Sequence, residues 1–256
     1  YDLITSSANA RDGGGRDADP TDPGDYDLAS GRNSSWHGTH VAGIIAAESN
    51  SIGISGIAPN VKIQPIRVLG VNGGSETDIA AGINYAIGVP ITDVPTNRYI
   101  AKVINLSIGS SAVTSCSKYS PTQLAIDASR KRDITLVTAA GNDNRYAASS
   151  YPGNCYGNIT IGATGYTGDR AWYSNYSYPA RDGSNNIVAY IGVDISAPGG
   201  DERDYSAPAL GLIISTMNSG KTVEGNPTYE GEEGTSMASP MAAGVVALMY
   251  SVEPTL

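Results

Sequence analysis

Residues 121–139 have the sequence PTQLAIDASRKRDITLVTA, a helix pattern followed at once by a strand pattern. Apolar side chains recur on one face of the helix pattern (Leu124, Ala125 and Ala128), and basic residues close its last turn. The apolar run Ile134–Ala139 has the length and composition of a buried strand. This stretch therefore predicts a helix that crosses over a sheet and leads into one of its strands.

The same alternation extends in both directions along the chain. Further strands are predicted at Val61–Val68, Val103–Ser107, Ile159–Ala163 and Leu212–Thr216. Further helices are predicted at His40–Ala47, Glu76–Ile87 and Met237–Tyr250. Residues 1–35 are predicted to form a surface loop, and residues 165–233 to be mostly irregular. Alternating strands and helices predict βαβ crossovers, so we expect one α/β domain with a parallel sheet.

Composition excludes several classes of function. The chain of 256 residues has a net charge of −9, and its 16 lysines and arginines are scattered singly, which argues against nucleic acid as a partner. No apolar run approaches the ~18 residues that span a bilayer, so we expect no membrane contact. Two cysteines, Cys116 and Cys155, are too few for a disulfide scaffold. They form either one bridge, which an extracellular location would favour, or two buried thiols.

Three short segments carry side chains that suit acyl transfer. A glycine follows His37 directly, and a helix of small residues comes next. Asn142 follows the strand predicted to end at Ala139, and ligands collect at the carboxyl ends of parallel strands. An amide there can donate to a developing oxyanion. Ser236 stands at the start of an apolar helix, where free N–H groups and the helix dipole favour negative charge.

Each of these residues also has an ordinary structural explanation. A lone histidine is more often structural than catalytic, an asparagine after a strand is usually a turn residue, and a serine before a helix is usually its N-cap. The coincidence of all three in one chain is much rarer. In α/β-hydrolases the serine precedes the histidine, whereas here both histidines precede Ser236, so an esterase or lipase of that class is disfavoured. A zinc protease is disfavoured too, because His37 and His40 lack the H-E-x-x-H arrangement.

Three segments resemble, in type and order, the motifs of the subtilisin-like serine proteases (subtilases): His37-Gly-Thr-His-Val-Ala-Gly, Ala140-Gly-Asn142 and Gly234-Thr-Ser236-Met-Ala-Ser-Pro. The resemblance covers essentially the whole chain and is strongest for secreted bacterial members. It implies a subtilisin-like three-layer fold, with a mostly parallel central sheet and helices on both faces. It also implies that His37 is the general base, Ser236 the nucleophile and Asn142 the oxyanion donor.

The resemblance further implies a cleft for an extended polypeptide. Residues 69–75, here called the substrate segment, are similar to the segment that pairs with the substrate backbone. Its expected contacts are Gly73, Gly74 and Ser75. The expected S1 pocket has Ser107, Ile108 and Gly109 as one wall and Ala139, Ala140 and Gly141 as the other.

Calcium is the expected cofactor. The resemblance implies a calcium loop at residues 48–54, with the backbone carbonyls of Glu48, Ile52 and Ile54 and the side chain of Asn50 as ligands. Residues 12–27, here called the Asp-rich loop, are a second candidate, because hard cations prefer oxygen ligands. The carboxylates expected to bind there are those of Asp17, Asp22 and Asp27. The alternative is a solvated acidic turn.

One member of the catalytic triad is missing from the sequence. Subtilases carry an aspartate before the histidine, in an Asp-Ser/Thr-Gly setting on an apolar strand, which orients the imidazole. Asp2, Asp12, Asp25 and Asp27 lack that setting, and residues 1–4 resemble the segment that follows the aspartate strand. We therefore expect a single catalytic domain, residues 1–256, that is incomplete at both ends.

The leading hypothesis is a secreted, monomeric serine endopeptidase that hydrolyses extended polypeptides through an acyl-enzyme on Ser236. A catalytically inactive subtilase fold that binds peptides is the alternative, motivated by the missing aspartate. A non-peptide acyl hydrolase is a third hypothesis.

Overall fold

The structure, a computed structural model, describes residues 1–111, 115–203 and 211–256. Its helices are α1 (Ser7–Ala10), α2 (His37–Ala46), α3 (Glu76–Ala86), α4 (Pro121–Arg130) and α5 (Thr235–Val252). Its strands are β1 (Val103–Leu106), β2 (Thr135–Ala139), β3 (Ile159–Thr164), β4 (Tyr178–Arg181), β5 (Ile187–Ile191), β6 (Ile195–Pro198), β7 (Ile213–Asn218) and β8 (Pro227–Glu232).

The central sheet has the strand order β1-β2-β3-β6, and all three of its pairings are parallel. Val103 lies opposite Thr135 and Ile161 opposite Ile195 in its register. Strands β4 and β5 form one antiparallel pair, and β7 and β8 form another. The mostly parallel α/β fold expected from the sequence is confirmed.

Helices cover both faces of the central sheet. Leu136 of β2 belongs to a buried cluster with Ile83 of α3 and Ile126 of α4. The next residue, Val137, belongs to a second cluster with Ala238 of α5. Because neighbouring residues on a strand point to opposite faces, α3 and α4 lie on one side of the sheet and α5 on the other. The result is the expected three-layer arrangement.

The prediction of a strand at Val61–Val68 was wrong. A single parallel bridge forms there, between Asp2 and Arg67. Leu3 N donates to Arg67 O at 2.9 Å and Arg67 N donates to Tyr1 O at 3.0 Å. A strand needs a partner backbone along its length, and among the described residues only residues 1–3 bond to the backbone of this segment from a distant part of the chain.

The prediction of a surface loop over residues 1–35 was wrong at its first residues. Leu3 and Ile4 are fully buried, and so is the carboxylate of Asp2. Burial raises the pKa of Asp2, while the Arg67 guanidinium and the Ile4 amide, 2.6 Å away, oppose that shift. An aspartate in a polar stretch gives no sign in the sequence that an arginine 65 residues away will cover it.

Residues 165–233 also hold more regular structure than predicted. In the described part of this region four strands lie besides β7, namely β4, β5, β6 and β8. Three of them, β4, β6 and β8, contain a proline, which argues against a strand in the sequence.

Helix α5 has 18 residues with a mean hydropathy of 1.3, so by length and composition it could cross a membrane, against the expectation from the sequence. Its first half, up to Gly244, has the contacts of a core helix. Ser239 Oγ donates to Asn105 Oδ1 of β1 at 2.7 Å, and Ala238 and Ala243 pack on the central sheet.

Cys116 and Cys155 form a disulfide with a Cα–Cα distance of 5.0 Å. The bridge joins the segment before α4 to the segment before β3, and Cys155 is buried in the cluster between α3, α4 and the sheet. The first of the two alternatives for the cysteines is confirmed.

We expect the double variant Cys116→Ala/Cys155→Ala to lose about 3–4 kcal/mol of unfolding free energy, because the bridge closes a long loop in the unfolded chain. Denaturant titration under oxidising conditions measures this loss. Reductant should destabilise the wild type by a similar amount and leave the double variant unchanged. Equal stabilities of the oxidised wild type and the variant would contradict the prediction.

Candidate active site

The start of α2 is fixed by contacts with the β7–β8 turn. Trp36, just before the helix, has a left-handed backbone (φ 49°) and is 4% exposed. Its indole Nε1 donates to Gly220 O at 2.5 Å, and Ser34 N donates to Lys221 O at 2.8 Å. These bonds fix the end of the loop and thereby the position of His37, the first residue of α2.

Close packing against β7 holds α2 along its length. A Cβ at Gly43 would lie 2.1 Å from Thr216 Oγ1, so only glycine permits this approach. Thr216 Oγ1 donates to Thr39 O at 2.9 Å, and Ser215 Oγ donates to His40 O at 2.7 Å. The small residues of α2 therefore let the helix pack closely on β7, and this packing positions His37.

The two histidines have different environments. His40 is fully buried, and its Nε2 lies 3.1 Å from Glu230 O, so this nitrogen carries the proton and donates to β8. His37 is half-buried. Burial lowers the pKa of His37, the charge of His40 lowers it further, and the charge of Asp25 raises it. His37 is therefore neutral, as a general base must be, at a lower pH than an exposed histidine.

Among the described residues no carboxylate forms a hydrogen bond with His37. Asp25, whose charge acts on it, accepts a hydrogen bond from Ser35 N at 2.6 Å through Oδ1. None of the described carboxylates therefore orients the imidazole of His37 through a hydrogen bond.

Asn142, three residues beyond the end of β2, has its side-chain amide oriented by Thr235 of α5. Oδ1 of Asn142 accepts from Thr235 N at 2.9 Å and from Thr235 Oγ1 at 2.8 Å. Thr235 Oγ1 in turn accepts from Gly141 N at 3.0 Å. With Oδ1 occupied, Nδ2 is the group left to donate. A Cβ at Gly234 would lie 3.3 Å from this Nδ2, so the glycine leaves it room.

Asn175, which the sequence analysis did not single out, holds the turn that contains Asn142. It is 1% exposed and makes four hydrogen bonds to this turn. Its N donates to Gly141 O at 2.9 Å and its Nδ2 to Ala140 O at 2.9 Å, while its Oδ1 accepts from Asp143 N and Arg145 N at 3.0 and 3.1 Å. No local pattern around Asn175 indicates this role.

Ser236 lies in the first turn of α5 and is half-buried. Its carbonyl oxygen accepts from Ser107 Oγ at 2.7 Å, and its own Oγ lies 3.5 Å from Ser107 O. Met237 packs with Val41 and Ile44, which brings the start of α5 against α2. Within the described residues no hydrogen bond joins His37 to Ser236.

A cavity of about 260 Å³ opens beside Ser236. Residues from both predicted walls line it, together with the predicted nucleophile and oxyanion donor: Ile108, Gly109, Ala139, Gly141, Asn142 and Ser236. Ser107 and Ala140, both buried, do not line it. Ser150, which the sequence analysis did not identify, adds a hydroxyl to the lining.

The substrate segment is exposed at Gly73, Gly74 and Ser75. Gly73 bonds both of its backbone groups to Gly70, at 2.9 and 3.0 Å, and has φ +81°. Gly73 therefore shapes a tight turn. Ser75 caps α3, since its Oγ accepts from Asp78 N at 3.0 Å.

The predicted calcium ligands of the Asp-rich loop each bond within their own turn, since Oδ1 of Asp17, Asp22 and Asp27 accepts from the amide two residues on. In residues 1–111, 115–203 and 211–256, no group of three or more histidines, cysteines, aspartates or glutamates is placed to hold a metal ion. In the loop 48–54, Asn50 Oδ1 likewise accepts from Ile52 N at 2.8 Å.

The subtilase family model matches residues 6–256, and the chain belongs to this family. It is 42% identical, over its whole length, to an extracellular protease of Xanthomonas campestris pv. campestris. It is 37% identical over 98% of its length to an extracellular basic protease of Dichelobacter nodosus. The chain spans 40% and 39% of the lengths of these two relatives.

A solved protease structure from Pseudoalteromonas arctica PAMC 21717 superposes with a TM-score of 0.87 at 43% identity, over 100% of this chain and 72% of that one. A cold-adapted subtilisin-like serine proteinase superposes with a TM-score of 0.58 at 26% identity, over 89% of this chain and 67% of the other. The resemblance found in the sequence is confirmed at the level of family and fold.

The charge of Asp25 predicts a pH effect on catalysis. Because this charge favours the imidazolium of His37, the variant Asp25→Asn should lower the histidine pKa and move the acid limb of kcat/KM to lower pH. The asparagine keeps an oxygen for Ser35 N. Rates measured from about pH 4 to 9 report the shift, with Asp19→Asn, an exposed carboxylate of the same loop, as the control. An unmoved limb, or one that moves to higher pH, would contradict this assignment.

Proposed function

We propose that this chain forms the catalytic site of a secreted serine endopeptidase acting on extended polypeptides. The observation that carries the proposal is the pair of hydrogen bonds from Thr235 to Asn142 Oδ1. They orient the asparagine amide in the cavity that Ser236 lines. Such an oriented donor beside a serine at a helix start suits the stabilisation of an oxyanion.

In the proposed reaction, Ser236 Oγ attacks the carbonyl carbon of the scissile peptide bond and His37 takes the hydroxyl proton. The negative charge that forms on the carbonyl oxygen accepts a hydrogen bond from Asn142 Nδ2. His37 then gives the proton to the leaving amine, and an acyl-enzyme on Ser236 remains. Water, deprotonated by His37, hydrolyses this ester and restores the serine.

The orienting aspartate is proposed to come from sequence outside residues 1–256, since both curated relatives are longer than this chain. Secretion is supported by the names of these relatives, both extracellular proteases, and by the disulfide, because such bonds persist in oxidising compartments. We also propose that the protein is a monomer.

The peptide-binding alternative has no observation of its own in its favour, since the relatives named above are proteases. The two hypotheses predict different results with an extended peptide, because an inactive fold would bind the peptide and release it without cleaving it.

The variant Ser236→Ala in the full-length protein tests the proposal. We expect it to lose all measurable peptide hydrolysis and all labelling by a fluorophosphonate probe, while its melting temperature stays within a few degrees of the wild type. Ser251→Ala, an exposed serine of the same helix, is the control and should keep full activity. The variant Asn142→Ala should lower kcat by about 10²–10³-fold.

Peptide hydrolysis that survives in Ser236→Ala would overturn the proposal. A wild type that hydrolyses esters but no peptides would favour the acyl hydrolase. A wild type that binds peptides without cutting them would favour the inactive module.

For calcium we propose the loop 48–54 as the main site, with the Asp-rich loop as the second candidate. A site made of three backbone carbonyls and one amide oxygen needs no cluster of acidic side chains, so the absence of such a cluster among the described residues does not bear on it. The exposed Asn50 side chain already folds this loop, through its bond to Ile52 N.

We expect calcium to raise the melting temperature of the full-length protein and a chelator to lower it, because an ion bound to the native state alone stabilises that state. Asn50→Ala should reduce this response, and Asn60→Ala, an exposed asparagine outside the loop, should not. A chelator effect that is the same size in both variants would place calcium elsewhere.

A further inference from the structure

Residues 9–36 contact both sides of the predicted cleft. Asn9, in α1, and Arg32, after the Asp-rich loop, bond to residues 70–73. Ser34 and Trp36 bond to the β7–β8 turn that positions His37. This part of the chain therefore contacts both the substrate segment and the support of the proposed base.

Asn9 makes three hydrogen bonds to the substrate segment. Its Nδ2 donates to Gly73 O at 2.8 Å, its Oδ1 accepts from Asn72 N at 2.8 Å, and its backbone carbonyl accepts from Val71 N at 3.1 Å. A Cβ at Gly70 would lie 2.0 Å from Asn9 O, so the two backbones are in close contact.

The residues next to Asn9 are themselves held in place by other contacts. Helix α1 begins at the N-cap Ser6, and Arg67 bonds to Ala10 O as well as to the carboxylates of Asp2 and Asp12. On the far side, Arg32 Nη2 donates to Val71 O at 2.7 Å and to Asp25 O at 2.9 Å. The substrate segment is therefore held between two anchored residues of the preceding chain.

The segment needs such support because of its composition. Residues 72–75 are exposed, and a Cβ at Gly73 would have no heavy atom within 4 Å. Glycines lose more conformational freedom on ordering than other residues. Contacts that order the segment before a peptide arrives reduce the entropy lost on binding.

We propose that Asn9 is a positioning residue that holds the substrate segment in its binding conformation, and so sets the affinity of the cleft for residues on the N-terminal side of the scissile bond. The proposal rests on the proposed function. Asn9 itself touches neither Ser236 nor the pocket lining, so its effect should depend on substrate length.

The test compares Asn9→Ala with the wild type on peptide p-nitroanilides that share the residue at the scissile bond and have one, two or four residues before it. Loss of two side-chain hydrogen bonds should raise KM for the four-residue substrate about 10-fold, with kcat within about 2-fold. The one-residue substrate should be cleaved at an unchanged kcat/KM. Ser7→Ala, an exposed neighbour in α1, is the control and should keep the wild-type KM on every substrate.

Two further measurements keep the test decisive if Asn9→Ala is unstable. Asn9→Asp keeps an oxygen for Asn72 N but places a second carboxylate oxygen against Gly73 O, where two acceptors repel, so its KM for the four-residue substrate should rise at least as much as that of the alanine variant. Hydrogen exchange at the Asn72 amide should speed up in Asn9→Ala, and exchange at the amides of β2 should not.

An equal loss on all three substrate lengths, or no change on the longest one, would overturn the proposal. Unchanged exchange at Asn72 would also overturn it. Failure of the proposed function looks different from failure of the Asn9 proposal. In that case the wild type itself would cleave none of the three substrates and would not react with a fluorophosphonate.

Discussion

Two hydrogen bonds from Thr235 to the Oδ1 of Asn142 join the end of β2 to the start of α5. They decide which end of the asparagine amide is free, and they set the distance between the turn after β2 and the first turn of α5. The buried amide of Asn175 fixes the same turn from the other side. The chemistry proposed for Ser236 requires this arrangement before any substrate binds, because a donor that must reorient during the reaction stabilises an oxyanion less.

The base is positioned by a second, separate set of contacts. Trp36 bonds to the β7–β8 turn, and Gly43 lets α2 lie directly on β7, so His37 follows the position of that hairpin. Burial on this surface lowers the pKa of His37, which keeps the imidazole neutral, and the nearby charge of Asp25 moderates the effect. The nucleophile and the base thus depend on different parts of the fold, which meet where α2 packs on α5.

The strongly periodic elements were predictable from the sequence. The helix predicted from Pro121 to Arg132 ends at Arg130, and the strand predicted from Ile134 to Ala139 begins at Thr135. The segment Val61–Val68 failed although its composition suits a strand, because strand formation depends on a partner backbone. The calcium expected in the Asp-rich loop stays a prediction. Oδ1 of Asp17, Asp22 and Asp27 accepts from the amide two residues on.

The sequence by itself determined the strongly periodic helices and strands that flank the site and the identity of the three candidate catalytic side chains, because periodicity and short motifs are local properties. Only the tertiary structure decided which polar residues hold those side chains in place. Asn9 meets Asn72 across 63 positions of chain, and Asn142 meets Thr235 across 93. A hydrogen bond forms only within about 3 Å, and which groups come that close is decided by how the layers pack.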